Sequence, residues 1–329
     1  MVRQLPSVTL KSGETAEIFK VTGPEPEWEE RLLSRLSHKG RLWDRPMQQA
    51  LRGGLPGMKM HFYQMRLDDH AVGNITVVEA LERPVALLQH VFTDPEHRRK
   101  GICNHLMTLV TDDFVAAGGR AMYLGTEYEG PAFRIYQEFG FRAIGEGGAM
   151  VWAPDDGYPD SFFVQGPVQV RPAQWGDWPL LTALYQREEG WDLRGYILGH
   201  FGHSSYESAF CRVEELIEAG KAEQSTVLQI EETGAVAGHA FLGKDEKWPD
   251  GPWVLDFFVH PLFTERTGEL LQAIEFPAGR KVQAYCDEAA EDRAEALRGA
   301  GFSLEATLRG QYSTKDGRLV NVHVYARQG

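Results

Sequence analysis

Three cysteines in 329 residues, Cys103, Cys211 and Cys286, are too few and too far apart for a disulfide framework. An odd number of free thiols suits a reducing compartment. There is also no uninterrupted apolar run of ~20 residues, so no membrane-spanning helix is expected. Positive charge is short as well. Against 47 Asp and Glu there are 34 Lys and Arg, a net charge of −13. That balance argues against nucleic-acid or anionic-membrane binding and mildly favours cationic partners such as amines. The opening MVRQLPSV has no apolar core, so no signal peptide is expected and the cytoplasm is the expected location. Metal-ligand spacing is missing too. Trp191, His200, His203 and Tyr206 form an aromatic, His-rich stretch that fits no metal pattern and is expected to be a loop packed between domains.

What is present is the composition of a globular protein, 43% hydrophobic and 25% charged, at a length that suggests two domains. Residues 153–167, APDDGYPDSFFVQGP, read as the linker, dividing domains at 1–155 and 165–329. The first 163 residues hold 18 basic and 22 acidic side chains and the remainder 16 and 25, so the second half is the more acidic. Both halves run through the same pattern. A strand (16–21; 168–171) leads into a helix (27–36; 177–185), followed by a hairpin (60–66 with 72–78; 225–231 with 236–242). VALLQHVFTDP then matches WVLDFFVHP, and AFRIYQEFGF matches RAEALRGAGF. This is an internal duplication of about half the chain.

The most informative segment is VFTDPEHRRKGICNHL, residues 91–106. An apolar strand ends at Asp94-Pro95, a basic loop with Gly101 follows, and a helical pattern begins at Ile102. A strand turning through Arg-Arg-Lys-Gly into a helix aims unpaired backbone N–H groups and the positive end of the helix dipole at one spot. That suits a phosphate. A second strand (121–126) and a helix with Ala132, Ile135 and Tyr136 follow, closed by Gly140-Phe141.

Arg98, Gly101 and Cys103, followed by Tyr136, Gly140 and Phe141, resemble the two motifs of the GNAT superfamily of acyl-CoA-dependent N-acetyltransferases. Over residues 60–150 both occur in the family's order and spacing. The resemblance implies an α+β fold class: two tandem GNAT-like domains, each a mixed, mostly antiparallel sheet flanked by helices. It implies acetyl-CoA as cosubstrate, held in a splay between the fourth and fifth strands of the first domain. The backbone of Arg98, Arg99, Lys100, Gly101, Ile102 and Cys103 would hold the pyrophosphate, while Phe92 and Thr93 would pair with the pantetheine arm. Cys103 departs from the family's Gly or Ala but is small enough to keep the loop; a thiol there could ionise easily, opposed by the pyrophosphate. Tyr136 matches the family's general acid.

The general base is where the sequence departs from the family. Its usual positions fall on Leu87 and Gln89, which cannot accept a proton. His90 should face the other way by strand alternation unless a bulge turns it. Glu127 and Glu129 could act through water, with Glu129 standing where many relatives carry Asn. The acceptor loop between the first two helices would be HKGRLWDRPMQQ, whose Trp43 suits an amine or a core equally. In the second copy Thr264, Thr267 and Leu297 replace Arg98, Gly101 and Tyr136, so that copy is expected to be degenerate.

The expected function is acetyl transfer to a small amine or peptide amine by direct attack, with the first domain catalytic and the chain a monomer or homodimer. Alternatives are a non-catalytic acyl-CoA-binding or interaction protein, and a mycothiol-synthase-like tandem acetyltransferase whose second copy is the active one.

Overall fold

The computed structural model describes residues 1–36, 39–314 and 317–329. The chain divides into two units, Met1–Pro159 with Gln174–Leu180, and Asp160–Ala173 with Leu181–Gly329. The first comprises β1 (Val2–Thr9), β2 (Thr15–Thr22), α1 (Glu29–Leu36), α2 (Arg41–Arg52), β3 (Met58–Leu67), β4 (His70–Ala80) and β5 (Val85–Thr93). These are followed by α3 (Ile102–Ala116), β6 (Ala121–Gly125), α4 (Pro131–Glu138), β7 (Arg142–Ile144) and β8 (Ala149–Trp152), and the division into units falls within α5 (Tyr158–Ser161). Its sheet has the order β1-β2-β3-β4-β5-β6-β8-β7.

The remaining elements are β9 (Val168–Pro172), α6 (Trp178–Tyr185), β10 (Leu193–Gly195), β11 (His200–Phe201), α7 (Glu207–Glu218), β12 (Ala222–Ile230) and β13 (Val236–Lys244). Then come β14 (Trp253–Val259), α8 (Thr267–Gln272), β15 (Lys281–Asp287), α9 (Glu291–Gly299), β16 (Ser303–Ser313) and β17 (Leu319–Gln328). The second large sheet, taken from β9, runs β9-β12-β13-β14-β15-β17-β16. That is the order of β2 through β7 in the first unit, strand for strand. In each sheet one neighbouring pair is parallel, β5 with β6 and β14 with β15. The duplication read from the sequence is therefore a duplication of topology.

Local chemistry explains the elements. The β3–β4 hairpin turns through Asp68 and Asp69 at φ 44° and 66°, a left-handed pair that Asp tolerates and a tight hairpin requires. Period-two alternation in β2 to β5 puts Ile18, Met65, Ile75, Val77 and Leu88 on one face. There they pack with Ile102, Leu106 and Val110 of α3 and Phe133 and Tyr136 of α4.

Two elements differ from the sequence expectation. Residues 2–9, left unassigned above, form an edge strand whose mostly exposed side chains carry no core signal. Its register with β2 is irregular between Leu5 and Val8, beside Pro6, an edge location where proline is tolerated. The expected acceptor loop HKGRLWDRPMQQ is helical from Arg41 onward and carries Pro46 inside α2; His38 lies outside the described residues.

Candidate active site

The first unit's parallel strands part early. β5 and β6 pair only at Val85–Ala121, Ala86–Met122 and Leu87–Tyr123, after which β5 runs on to Thr93 paired with β4 but not with β6. A second irregularity follows. Against β4, Gln89 faces Thr76 and Phe92 faces Asn74, so His90 and Val91 together oppose one residue. His90 sits at φ 50°, and its carbonyl accepts from Asn74 Nδ2 at 3.2 Å. This is a β-bulge, and it reverses the direction set by simple alternation. Val91 and Thr93 line the cleft beside α3, whereas the buried His90 ring meets Trp43 of α2 edge-on, 5.5 Å between centroids.

The strand ends at a turn made by its own sequence. Asp94 accepts the Glu96 N–H at 3.0 Å and Pro95 opens a short 3₁₀ turn. Arg99 then lies at φ 64° and Gly101 at φ 90°, the latter as the N-cap of α3. These left-handed steps turn the chain so that the first amides of α3, which lack intrahelical partners, end the loop. A further glycine brings α3 close: a Cβ at Gly73 on β4 would stand 2.4 Å from Ile102 Cγ2.

Here a cavity of about 540 Å³ opens, within the range of small-molecule sites. Arg98, Arg99, Gly101, Ile102, Cys103, Thr93 and Tyr136 all line it, together with Pro131, Ala132 and Ile135 of α4. Of the residues singled out in the sequence, Phe92, Lys100, His90 and Glu129 are not among its lining. Glu129 is exposed at φ 57° in the β6–α4 loop. The side chain of Lys100 is drawn to Glu14, 2.7 Å from Nζ to Oε1. Hydrogen bonding by Lys100, then by Ser12, holds the Glu14 carboxyl down at about 2. Burial pushes the Cys103 thiol up to about 11, so the ease of ionisation weighed from its helix position is overridden by desolvation.

Sequence reading missed Lys11. It lines the cavity from the β1–β2 turn, its N–H donates to the Lys100 carbonyl at 3.1 Å, and its stem lies beside Gly101. The two residues are ninety positions apart, and no local pattern announces the contact.

The same place in the second unit is filled. β14 and β15 pair in parallel only at Trp253–Val282 and Val254–Gln283 before parting. Beyond that point the unit's own β10 segment packs against both strands. The Tyr196 and Ile197 N–H groups donate to Asp256 of β14, each at 2.8 Å, and the Leu193 N–H donates to Asp287 of β15 at 2.9 Å. Arg293 of α9 donates to the Leu193 carbonyl, and Tyr196 stacks on Tyr285 at 3.7 Å. Burial raises the Asp256 pKa, while its two amide bonds pull the other way. Trp191, His200 and Tyr206 are buried around this hairpin. Nor does a left-handed loop recur. From Pro261 to Arg266 the chain is one 3₁₀ stretch running straight into α8, with Thr267 bonded to the Thr264 carbonyl at 2.6 Å. Leu297, at the position of Tyr136, is fully buried.

Residues 26–141 match a family model described as the acetyltransferase (GNAT) family. No curated protein matches the chain in sequence. Among solved structures, similar ones include an N-acetyltransferase from Staphylococcus aureus Mu50, 16% identical, covering 50% of this chain and 99% of its own at TM-score 0.36. A ribosomal-protein-alanine N-acetyltransferase from Brucella melitensis is 17% identical, covering 49% and 99% at TM-score 0.38. A GNAT superfamily phosphinothricin acetyltransferase from Sinorhizobium meliloti, in complex with AcCoA, is 17% identical, covering 49% and 87% at TM-score 0.36. No transmembrane-length apolar helix occurs among the described residues. The strand, left-handed basic loop and helix that frame the cavity all fall inside the matched segment, and residues 26–141 are a domain of the acetyltransferase (GNAT) family.

Proposed function

We propose that the chain is an acetyl-CoA-dependent N-acetyltransferase, with the carrier held in domain 1–155 and domain 165–329 a degenerate copy. The observation that carries this reading is the cavity at the parting of β5 and β6, where Arg98, Arg99, Gly101, Ile102, Cys103, Thr93 and Tyr136 meet. The backbone from Arg98 to Cys103 would hold the diphosphate at the helix N-terminus. Beyond the pairing with β6, the backbone of β5 at Phe92 and Thr93 would hold the pantetheine amides as a neighbouring strand does. The pantetheine thioester supplies the activated acetyl group. Tyr136 would return a proton to the departing thiolate. The acceptor we favour is a small amine or peptide amine attacking directly, and the raised Cys103 pKa supports a mechanism without an acyl-cysteine.

We assign the base to His90, turned by the bulge towards α2, with Glu129 as the alternative acting through water. The second copy is set aside on two grounds: its cleft is occupied by its own β10 segment, and its loop lacks left-handed steps. A purely carrier-binding role is favoured by one observation, that neither His90 nor Glu129 lines the cavity.

Thiol release from acetyl-CoA over a panel of amines separates the two roles. Wild type should turn over, Tyr136→Phe should lose roughly 10²-fold in kcat, and His90→Gln should shift the pH profile. Binding of acetyl-CoA with no turnover on any amine would establish the binding role instead.

A further inference from the structure

Two lysines exchange places at the mouth of the cavity. Lys100 belongs to the loop but turns away to Glu14 on the β1–β2 turn, with His97 Nδ1 also near at 3.3 Å. Lys11 belongs to that turn but leans over the loop and lines the cavity. The turn is fastened in place. The Leu10 side chain is buried, its N–H donates to the Glu14 carbonyl at 2.8 Å, and the Lys11 N–H holds the Lys100 carbonyl. A Cβ added at Gly101 would be 3.7 Å from Lys11 Cγ and Cε and 3.7 Å from His105 Cδ2. Lys11 and His105 therefore flank the start of α3, while Tyr136 contributes from α4.

Charge and direction together point to a role. Arg98, Arg99 and the first amides of α3 suffice for a diphosphate, whose two negative charges they match. An ammonium mounted on a separate element, beside the helix start, fits a second anionic group on the nucleotide end of the carrier. We propose that Lys11 recognises the 3′-phosphate of coenzyme A, so that the site selects the 3′-phosphorylated carrier over its dephospho form. The proposal rests on the acyl-carrier assignment above and adds to it the part of the carrier that is read.

Calorimetric titration of coenzyme A and of 3′-dephospho-coenzyme A into wild type, Lys11→Met and Lys11→Arg tests it. Wild type should prefer coenzyme A. Lys11→Met should weaken coenzyme A about 5-fold, as loss of one exposed phosphate contact does, and leave the dephospho form within about 2-fold. Lys11→Arg should keep the preference. Equal weakening of both carriers by Lys11→Met would place Lys11 on the shared diphosphate and overturn the proposal, as would no change in either. A wild type that binds neither carrier would overturn the acyl-carrier assignment itself, a result distinct from loss of selectivity.

Discussion

Gly73→Ala should damage the carrier site from beneath, without replacing any residue that lines it. Gly73 lies on β4 opposite Thr93, beneath the first turn of α3. The new methyl would stand 2.4 Å from Ile102 Cγ2, 3.2 Å from Leu106 Cδ1 and 3.5 Å from the Phe92 carbonyl oxygen. Carbon atoms settle at ~3.5–4.0 Å, so relief requires a movement of about 1 Å. Ile102 is 1% exposed and β-branched, with little room to change rotamer, so the start of α3 must lift. Overpacking of this kind costs ~1–3 kcal/mol, offset by ~0.4–1 kcal/mol from a stiffer unfolded chain. The net is about 1–2 kcal/mol, or ~2–8 °C in the melting temperature of the unit.

The carrier loses more, because a displacement of about 1 Å breaks at least one amide–phosphate bond worth ~1.5–3 kcal/mol. Acetyl-CoA affinity should fall about 10-fold or more by calorimetry. The control is Gly118→Ala at the far end of the same helix. It has φ 87° and nothing within 4 Å of the new methyl, so it costs a comparable ~1–2 kcal/mol through backbone strain alone. Its affinity should stay within about 2-fold of wild type. If Gly118→Ala weakens acetyl-CoA as much as Gly73→Ala does, the α3 N-terminus is not what grips the carrier.

Three further outcomes are expected. Cys103→Ala should retain turnover within about 3-fold, and mass spectrometry during turnover should find no acetyl group on Cys103, because a thiol pushed up to about 11 stays neutral near pH 7. Glu14, lowered from 4.5 to about 2, makes its contribution above pH 4.5 and loses it as pH falls towards 2. Its side-chain NMR titration should therefore centre near 2 and move up towards 4.5 in Lys100→Met; an ordinary midpoint in wild type would mean that the turn is not fastened. Asp256→Ala would strand the Tyr196 and Ile197 amides at ~1–3 kcal/mol each, lowering the unfolding free energy read by denaturant titration by ~2–6 kcal/mol. Acetyl-CoA affinity should be unchanged, and a parallel loss of affinity would relocate the carrier site.

The strand, basic turn and helix around Gly101 were legible because their signals are contiguous. An apolar run, Asp-Pro, a basic Gly turn and a 3.6-period run follow one another from Val85 to Val110, and each step constrains the next. The duplication was legible for the same reason. His90 was only half legible: alternation predicts one face, and the extra residue that opposes Ile75 delivers the other. Such a bulge depends on register against β4, which a single strand does not encode. Lys11 was illegible because its contact joins two turns ninety residues apart, through a backbone bond to Lys100 that any sequence could make. The segment HKGRLWDRPMQQ was expected as a loop from the family resemblance, and it is helical from Arg41 onward with Pro46 held inside α2.

The segment that crosses the gap between β14 and β15 makes the divergence of the two copies hard to reverse. A copy that had merely lost an arginine and a glycine could regain them one codon at a time. This copy has instead recruited its own backbone as a permanent tenant, secured by carboxylates on both walls. Rebuilding the turn at Thr264 and Thr267 would not empty the groove, and evicting residues 191–197 would strip Asp256 of the Tyr196 and Ile197 amides, Asp287 of the Leu193 amide and Arg293 of the Leu193 carbonyl. Stability in this half is thus built from the same groove that stands open as a cavity in the other.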